Sequence, residues 1–265
     1  MIKFFRKIRQ SLLMKNQTSK YFKYAIGEII LVVIGILIAL SLNNWNQKRV
    51  DNNYVSLILK EIYYDLSADY KIIYEGIEPR LNLKIKGTEK IKEFMIEGAV
   101  VNDSSFINSY NNMNVGFALT QRTGAYESLK QNGLDKIRND SIRTQLLQFY
   151  ESTIPRAVQF ISEYDDYIMD RVKILEDDIF NYEFSTINDG TTRQIKVLKY
   201  PDNLDHQSLH KIYKLKYRDT RSKRYRIKYL KESYNRIMRM IEKELEIRKV
   251  QFKYFDSTVL KRDFS

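Results

Sequence analysis

Cysteine is missing from the whole chain, and that single absence removes disulfides, thiol nucleophiles and cysteine-ligated zinc together. It leaves the compartment open, because a helical domain of this size needs no covalent staple. Glycine and proline are scarce, nine and three in 265 residues. An all-β protein needs a turn roughly every 8–12 residues and would use more of both. Histidine occurs twice, at His206 and His210. Four apart on a helix they share one face, yet two ligands without a third make no metal site, and a solvated pair is the plainer reading. Nucleotide loops, a nucleophile elbow and a dinucleotide fingerprint are missing too. No cofactor and no metal are expected, and the pattern gives no support to catalysis; an envelope hydrolase would need paired carboxylates in a polar pocket.

What the chain does have is charge in blocks. Residues 1–24 carry seven Lys/Arg and no acid, residues 43–192 hold 17 basic against 23 acidic groups, and residues 193–265 hold 21 against nine. Between the first two blocks lies the apolar run Ala25–Leu42, AIGEIILVVIGILIALSL, with a single charge, Glu28. At 1.5 Å per residue these 18 residues span roughly 27 Å, the thickness of a hydrocarbon core. Tyr21, Phe22 and Tyr24 flank one end and Trp45 the other, as an aromatic belt would. The run reads as a transmembrane helix, residues 25–45. The competing readings are a buried core helix and a signal peptide cleaved after Ala39-Leu40-Ser41. Arg6, Lys7, Arg9, Lys15, Lys20 and Lys23 put the N-terminus in the cytoplasm and residues 46–265 on the other side. Within residues 1–24, Phe4, Phe5, Ile8, Leu12 and Leu13 recur at helical spacing among basic residues. That pattern fits a short amphipathic helix on the inner leaflet equally with a disordered basic tail.

Glu28 costs about 2.5–3.5 kcal/mol at a bilayer centre and less near an interface. On a helix, Gly35, Ala39 and Asn46 follow it within about 20° of one line. Gly35-xxx-Ala39 is a small-residue pair that lets helices approach closely. Glu28, Gly35, Ala39 and Asn46 therefore form a candidate intramembrane interaction face, suited to a homodimer. A proton-handling or stator-like role for Glu28 is the alternative.

Beyond the anchor, Tyr54, Ile58, Ile62, Leu66, Tyr70, Ile73, Ile77 and Leu81 step by three or four, predicting a helix over 50–97 with a bend at Gly76 and Pro79. Residues 98–121 read as a loop with a short helix around Ser105 to Asn111. A helix through Tyr126 to Gln131 stops at Asn132-Gly133, where glycine accepts the left-handed conformation. Asn139 or Asp140 caps another helix, kinked at Pro155 and carrying Ile142, Leu146, Phe149, Ala157, Phe160, Ile161, Tyr164, Ile168, Val172 and Leu175 to about Tyr182. Residues 184–206 read as a polar connection turning at Asn188-Asp189-Gly190. The last helix, from Ser208 to Phe255 with a break near Asp219-Thr220, repeats Ile227, Leu230, Tyr234, Ile237, Ile241 and Leu245 as a packing seam. The expected fold is all-α: one transmembrane helix continuing into an elongated antiparallel helical bundle over 46–265.

Asp165-Asp166 and Glu176-Asp177-Asp178 lack the alternating oxygens and glycine of a calcium loop, and read as solvated helix face. Lys211, Lys214, Lys216, Arg218, Arg221, Lys223, Arg224, Arg226 and Lys228 form a candidate basic surface, interleaved with Tyr213, Tyr217, Tyr225 and Tyr229. Nucleic acid is excluded as a partner outside the inner membrane. Pairing with the acidic residues of 43–192 is the preferred reading, an anionic envelope polymer or lipid the other.

Three stretches, MIKFFRKIRQ, SKYFKYAIGEIILVVIGILIALSLNNWN and GAYESLKQNGLDKIRNDSIRTQLLQFYE, give the chain its resemblance to a family. It resembles single-pass inner-membrane proteins of Bacteroidota, of the flavobacterial kind, for which no activity is established. The resemblance implies host and topology, with residues beyond the anchor periplasmic, and no chemistry. In such a host Asp140-Ser141-Ile142 and Asp256-Ser257-Thr258 look like O-glycosylation sequences. The function this supports is sensing, scaffolding or docking of an unknown membrane or periplasmic protein partner by a non-enzymatic protein held in the lipid bilayer.

Overall fold

The computed structural model describes residues 18–97, 103–186, 190–201 and 203–255. The basic N-terminal stretch, most of the 188–190 turn and the 256–258 sequence lie outside them. The chain divides into two compact units, Met1–Val55 and Ser56–Ser265. In the first unit the apolar run belongs to α1 (Thr18–Ile72), a helix of 55 residues. It is the one helix among the described residues long and apolar enough to cross a membrane. Its apolar side chains from Ile26 to Leu42 are exposed.

The second unit is built of helices and one hairpin. The part of α1 within it is followed by α2 (Glu78–Glu97), α3 (Asp103–Met113), α4 (Gly124–Asn132), α5 (Asp140–Gln148), α6 (Ile154–Glu176), β1 (Phe180–Thr186), β2 (Thr192–Leu198) and α7 (His206–Ile247). The all-α expectation holds apart from the hairpin. α7 runs antiparallel to α1 and α2, as its side-chain bonds show: Tyr63 to Glu242 at 2.6 Å, Asn235 to Tyr70 at 3.3 Å, Lys231 to Glu78 at 2.5 Å. The predicted seam is buried throughout, from Ile58 to Leu81 and from Ile227 to Leu245.

Both prolines expected to bend their helices stand beside a π-helical turn. Pro79 and Pro155 each follow a single π-helical turn, Ile73–Ile77 and Phe149–Thr153, by two residues. A proline ring crowds the carbonyl four residues earlier and donates no hydrogen bond; widening the preceding turn relieves both faults. The bends expected at Gly76/Pro79 and Pro155 are therefore taken up as π turns. Gly133 caps α4 with φ +112°, positive as expected but outside the left-handed helical region. Asn139 caps α5 through its side chain to the Ile142 amide at 3.3 Å.

Two further expectations change. α6 ends at Glu176, and residues read as its tail and a loop pair as the antiparallel hairpin, Phe180 opposite Leu198. Phe180, Tyr182 and Phe184 alternate with polar residues, a period-two signal. A lone hairpin is marginal in water. This one is held by Phe180 and Leu198, which join Ile91, Phe106, Tyr110, Ile168 and Ile212 in an apolar cluster. α7 is unbroken at Asp219-Thr220 and ends at Ile247, earlier than Phe255. The tail beyond it lies on α1, with the Lys253 and Phe255 amides donating to the Tyr64 and Tyr63 hydroxyls at 3.0 and 2.8 Å.

α2 and α3 meet at Gly87, where an added Cβ would collide with the Met113 amide and come within 2.6 Å of the Ser109 carbonyl. Backbone on both sides leaves nothing flexible to give. Gly87→Ala is expected to cost about 1–3 kcal/mol, read as a lower thermal midpoint by circular dichroism of the detergent-solubilised chain. Gly76→Ala, where a Cβ meets open space, is the control and should hold or raise the midpoint.

Candidate functional site

Along α2 the core-facing positions Leu81, Lys84, Thr88 and Ile91 step by three and four, and along α7 the corresponding run is Ile212, Lys216, Asp219, Thr220, Lys223 and Ile227. Helical register therefore sends charged residues inward between two apolar stretches. Asp219 and Lys223 are 0% exposed, Lys84 2% and Lys216 3%. Asp219 takes both neighbouring ammonium groups, Lys84 on Oδ2 at 2.8 Å and Lys223 on Oδ1 at 3.1 Å. Lys84 also donates to the Met113 carbonyl at 3.2 Å, tying in the end of α3. The Lys223 ammonium lies 5.6 Å from the centre of the Phe117 ring. Thr88 and Thr220 donate to the carbonyls of Lys84 and Lys216, one turn back on their own helices, and their hydroxyls meet at 3.3 Å.

Three buried lysines thus face one buried carboxylate. Among the described residues the Lys216 ammonium has Coulombic company only. Burial, with the Lys84 and Lys223 charges beside it, pushes its amine down to about 8, against the pull of Asp219 and Glu176. Glu176 forms a second centre, at the end of α6. Its carboxylate accepts from the Tyr110 hydroxyl at 2.7 Å, from Lys196 of β2 at 2.5 Å and from Tyr182 at 3.3 Å. The Lys196 ammonium sits 5.1–5.9 Å from the centres of the Tyr110, Phe180 and Tyr182 rings. Burial and the adjacent Glu176 raise the Tyr110 phenol, so it stays a donor. Glu176 is therefore a buried, fully engaged group and not part of a solvated acidic face. In a third pair, Asp69 accepts from the Arg122 amide at 2.8 Å and its guanidinium at 2.6 Å.

The basic run of α7 splits by register. Lys216 and Lys223 are interior, and Arg226 is half-buried with its guanidinium 3.4 Å from the centre of the Phe160 ring. Lys211, Lys214, Arg218, Arg221, Arg224 and Lys228 are exposed and make no ion pair among the described residues. Pairing with the acidic segments, the preferred sequence reading, is found for Lys231 with Glu78 and not for these six. In the first unit Glu28 is half-buried, while Gly35, Ala39 and Asn46 are exposed, with Arg49 donating to the Asn46 side chain at 3.2 Å. His206 and His210 are both exposed in the first turns of α7. Sequence reasoning named Lys216 and Lys223 but missed Lys84, Thr88 and Asp219 as their companions. The signal was there, in polar residues occupying the core register of two helices.

An amine whose pKa falls on folding is penalised while charged. For Lys216 that penalty is complete below about 8 and fades as pH climbs towards 10.5, so its removal stabilises most at neutral pH. Lys216→Met is expected to gain on the order of 1–3 kcal/mol at pH 7, with the gap to the parent narrowing by pH 10. Denaturant titrations at both pH values check this; a variant weaker than the parent at pH 7, or a constant gap, contradicts it.

Among proteins of known relationship, the family of unknown function DUF6090 matches residues 28–191, from within α1 through β1. No match is found among curated proteins or solved structures. The matched stretch contains Lys84, Asp69, Glu176 and the hairpin's first strand, while Asp219 and the basic face lie beyond it. Since the match takes in more than half of the sequence, the chain belongs to the family of unknown function DUF6090.

Proposed function

We propose that this chain is a membrane-anchored docking protein without enzymatic activity, whose second unit offers a cationic helix face to a partner. One observation carries the docking reading: six exposed Lys/Arg of α7 make no ion pair among the described residues. Cations gathered on one face without an ion-pair partner attract an anionic partner and speed its encounter. The buried carboxylates argue for a scaffold over an enzyme. Asp69, Glu176 and Asp219 are each held by a cation, so their charges serve the fold.

The anchor reading is supported by the open side chains of α1. Leaving a Leu, Ile or Val in water forgoes about 1.5–3 kcal/mol each, a loss that lipid removes across the whole run from Ile26 to Leu42. A soluble core helix would cover these residues with its own chain. The basic flank of residues 1–24 favours a cytoplasmic N-terminus, which places residues 46–265 on the exterior face of the inner membrane. In a cell with two membranes that is the periplasm. A homodimer through Glu28, Gly35, Ala39 and Asn46 fits the same anchor; a proton-coupled role rests on Glu28 alone and stays secondary.

The cysteine-free chain makes the test clean. Thr192→Cys and Tyr225→Cys, both at exposed positions, should react with a membrane-impermeant maleimide in cells whose outer membrane has been permeabilised. The unmodified chain should resist alkaline carbonate extraction. Labelling only after lysis would overturn the topology, and release by carbonate would overturn the anchor.

A further inference from the structure

Between α6 and α7 runs an open groove of about 700 Å³, within the roughly 300–1,000 Å³ of small-molecule sites. Ile174, Leu175 and Leu215 give it an aliphatic lining. Ile174 is 72% exposed, an apolar side chain left to water. Tyr213 and Tyr217 stand along one wall, their ring centres 5.8 Å apart. Four cations line the groove, Arg171 from α6 and Lys211, Lys214 and Arg218 from α7, and no acid does among the described residues. By contrast, the neighbouring groove over α2 sets Glu89 among Lys92, Arg221 and Arg224. The excess positive charge and the apolar lining coincide in the first groove.

Each half of that surface excludes a class of occupant. A polyanion gains from the four cations but nothing from the aliphatic lining. A neutral apolar ligand has no use for the cations. An acidic peptide, like any polyanion, gains from the cations and nothing from the aliphatic residues. An anionic amphiphile suits both parts, its chain on Ile174, Leu175 and Leu215 and its head among the cations. Building on the docking reading above, we infer that the α6–α7 groove binds an anionic lipid, acyl chain in the groove and phosphate at Lys211, Lys214 and Arg218. The proposal names the partner of the α7 face as lipid. It requires no position of the second unit relative to the anchor.

The experiment uses the full chain in a neutral detergent with phosphatidylglycerol bearing a photoreactive group on its acyl chain, followed by peptide mapping. Cross-links are expected in residues 171–175 or 211–218 as well as in the anchor. A phosphatidylcholine probe should label the groove about tenfold less and the anchor equally. Lys214→Gln combined with Arg218→Gln should lower groove labelling by about tenfold, and Ile174→Asn, at an exposed position, should lower it without changing the fold by circular dichroism. Labelling of the anchor alone overturns this inference and leaves the anchor reading standing; labelling of neither overturns the anchor reading. Equal groove labelling by both lipids, or no loss in Ile174→Asn, overturns the inference. So does displacement of the probe by hexaglutamate at lower concentration than by unlabelled phosphatidylglycerol, which would assign the face to an acidic protein.

Discussion

Asp219 is one carboxylate, wholly removed from water, set between the ammonium groups of Lys84 and Lys223. Taking these charges out of water costs several kcal/mol per ion, and the mutual attraction offsets that only while all of them stay in register. The constraint reaches three helices. Lys84 belongs to α2 and also holds the Met113 carbonyl at the end of α3, where Gly87 lets the two backbones close. Asp219, Lys216 and Lys223 belong to α7. A shift of α2 or α7 along its axis would strand a charge, so the cluster constrains their mutual register. It lies between two apolar regions, with Leu81 and Ile227 on one side and Ile91 and Ile212 on the other.

The same helix serves inside and outside by register. At 100° per residue the basic run of α7 divides into lysines that enter the core and cations that face away from it. Inside, charge is matched or pushed towards neutrality, as with Lys216. Outside, six cations make no ion pair among the described residues. These two economies explain how a run of ten basic residues between 211 and 231 is tolerated in one folded unit. They also separate the residues on which stability rests from those left for a partner.

The sequence made the apolar periodicity legible because burial follows it directly: Ile58 to Leu81 and Ile227 to Leu245 fall where a three-four repeat puts them. Caps were legible for a local reason, since Asn139 acts through a bond to an amide three residues on and Gly133 through its own backbone angle. The hairpin was not, because Phe180, Tyr182 and Phe184 suit a strand only once Phe180 has a core to enter and Lys196 has Glu176 to meet. The π turns before Pro79 and Pro155 were half legible: proline marks the place of the irregularity but not its hydrogen-bonding pattern. The charge cluster was hidden by its own composition. Lys84, Thr88, Asp219 and Thr220 look like breaks in an apolar seam, and only the facing helix turns each break into a partner for the other.

If the Lys84–Asp219–Lys223 cluster is the constraint on which this arrangement depends, removing its one negative charge must leave buried ammonium groups without compensation. The direct measurement is equilibrium unfolding of Asp219→Asn beside the parent chain at pH 7, in the same detergent. The account predicts a loss of about 3–5 kcal/mol, large against the usual stability of a folded domain. A loss within about 0.5 kcal/mol of zero, the range of an ordinary surface substitution, would contradict it.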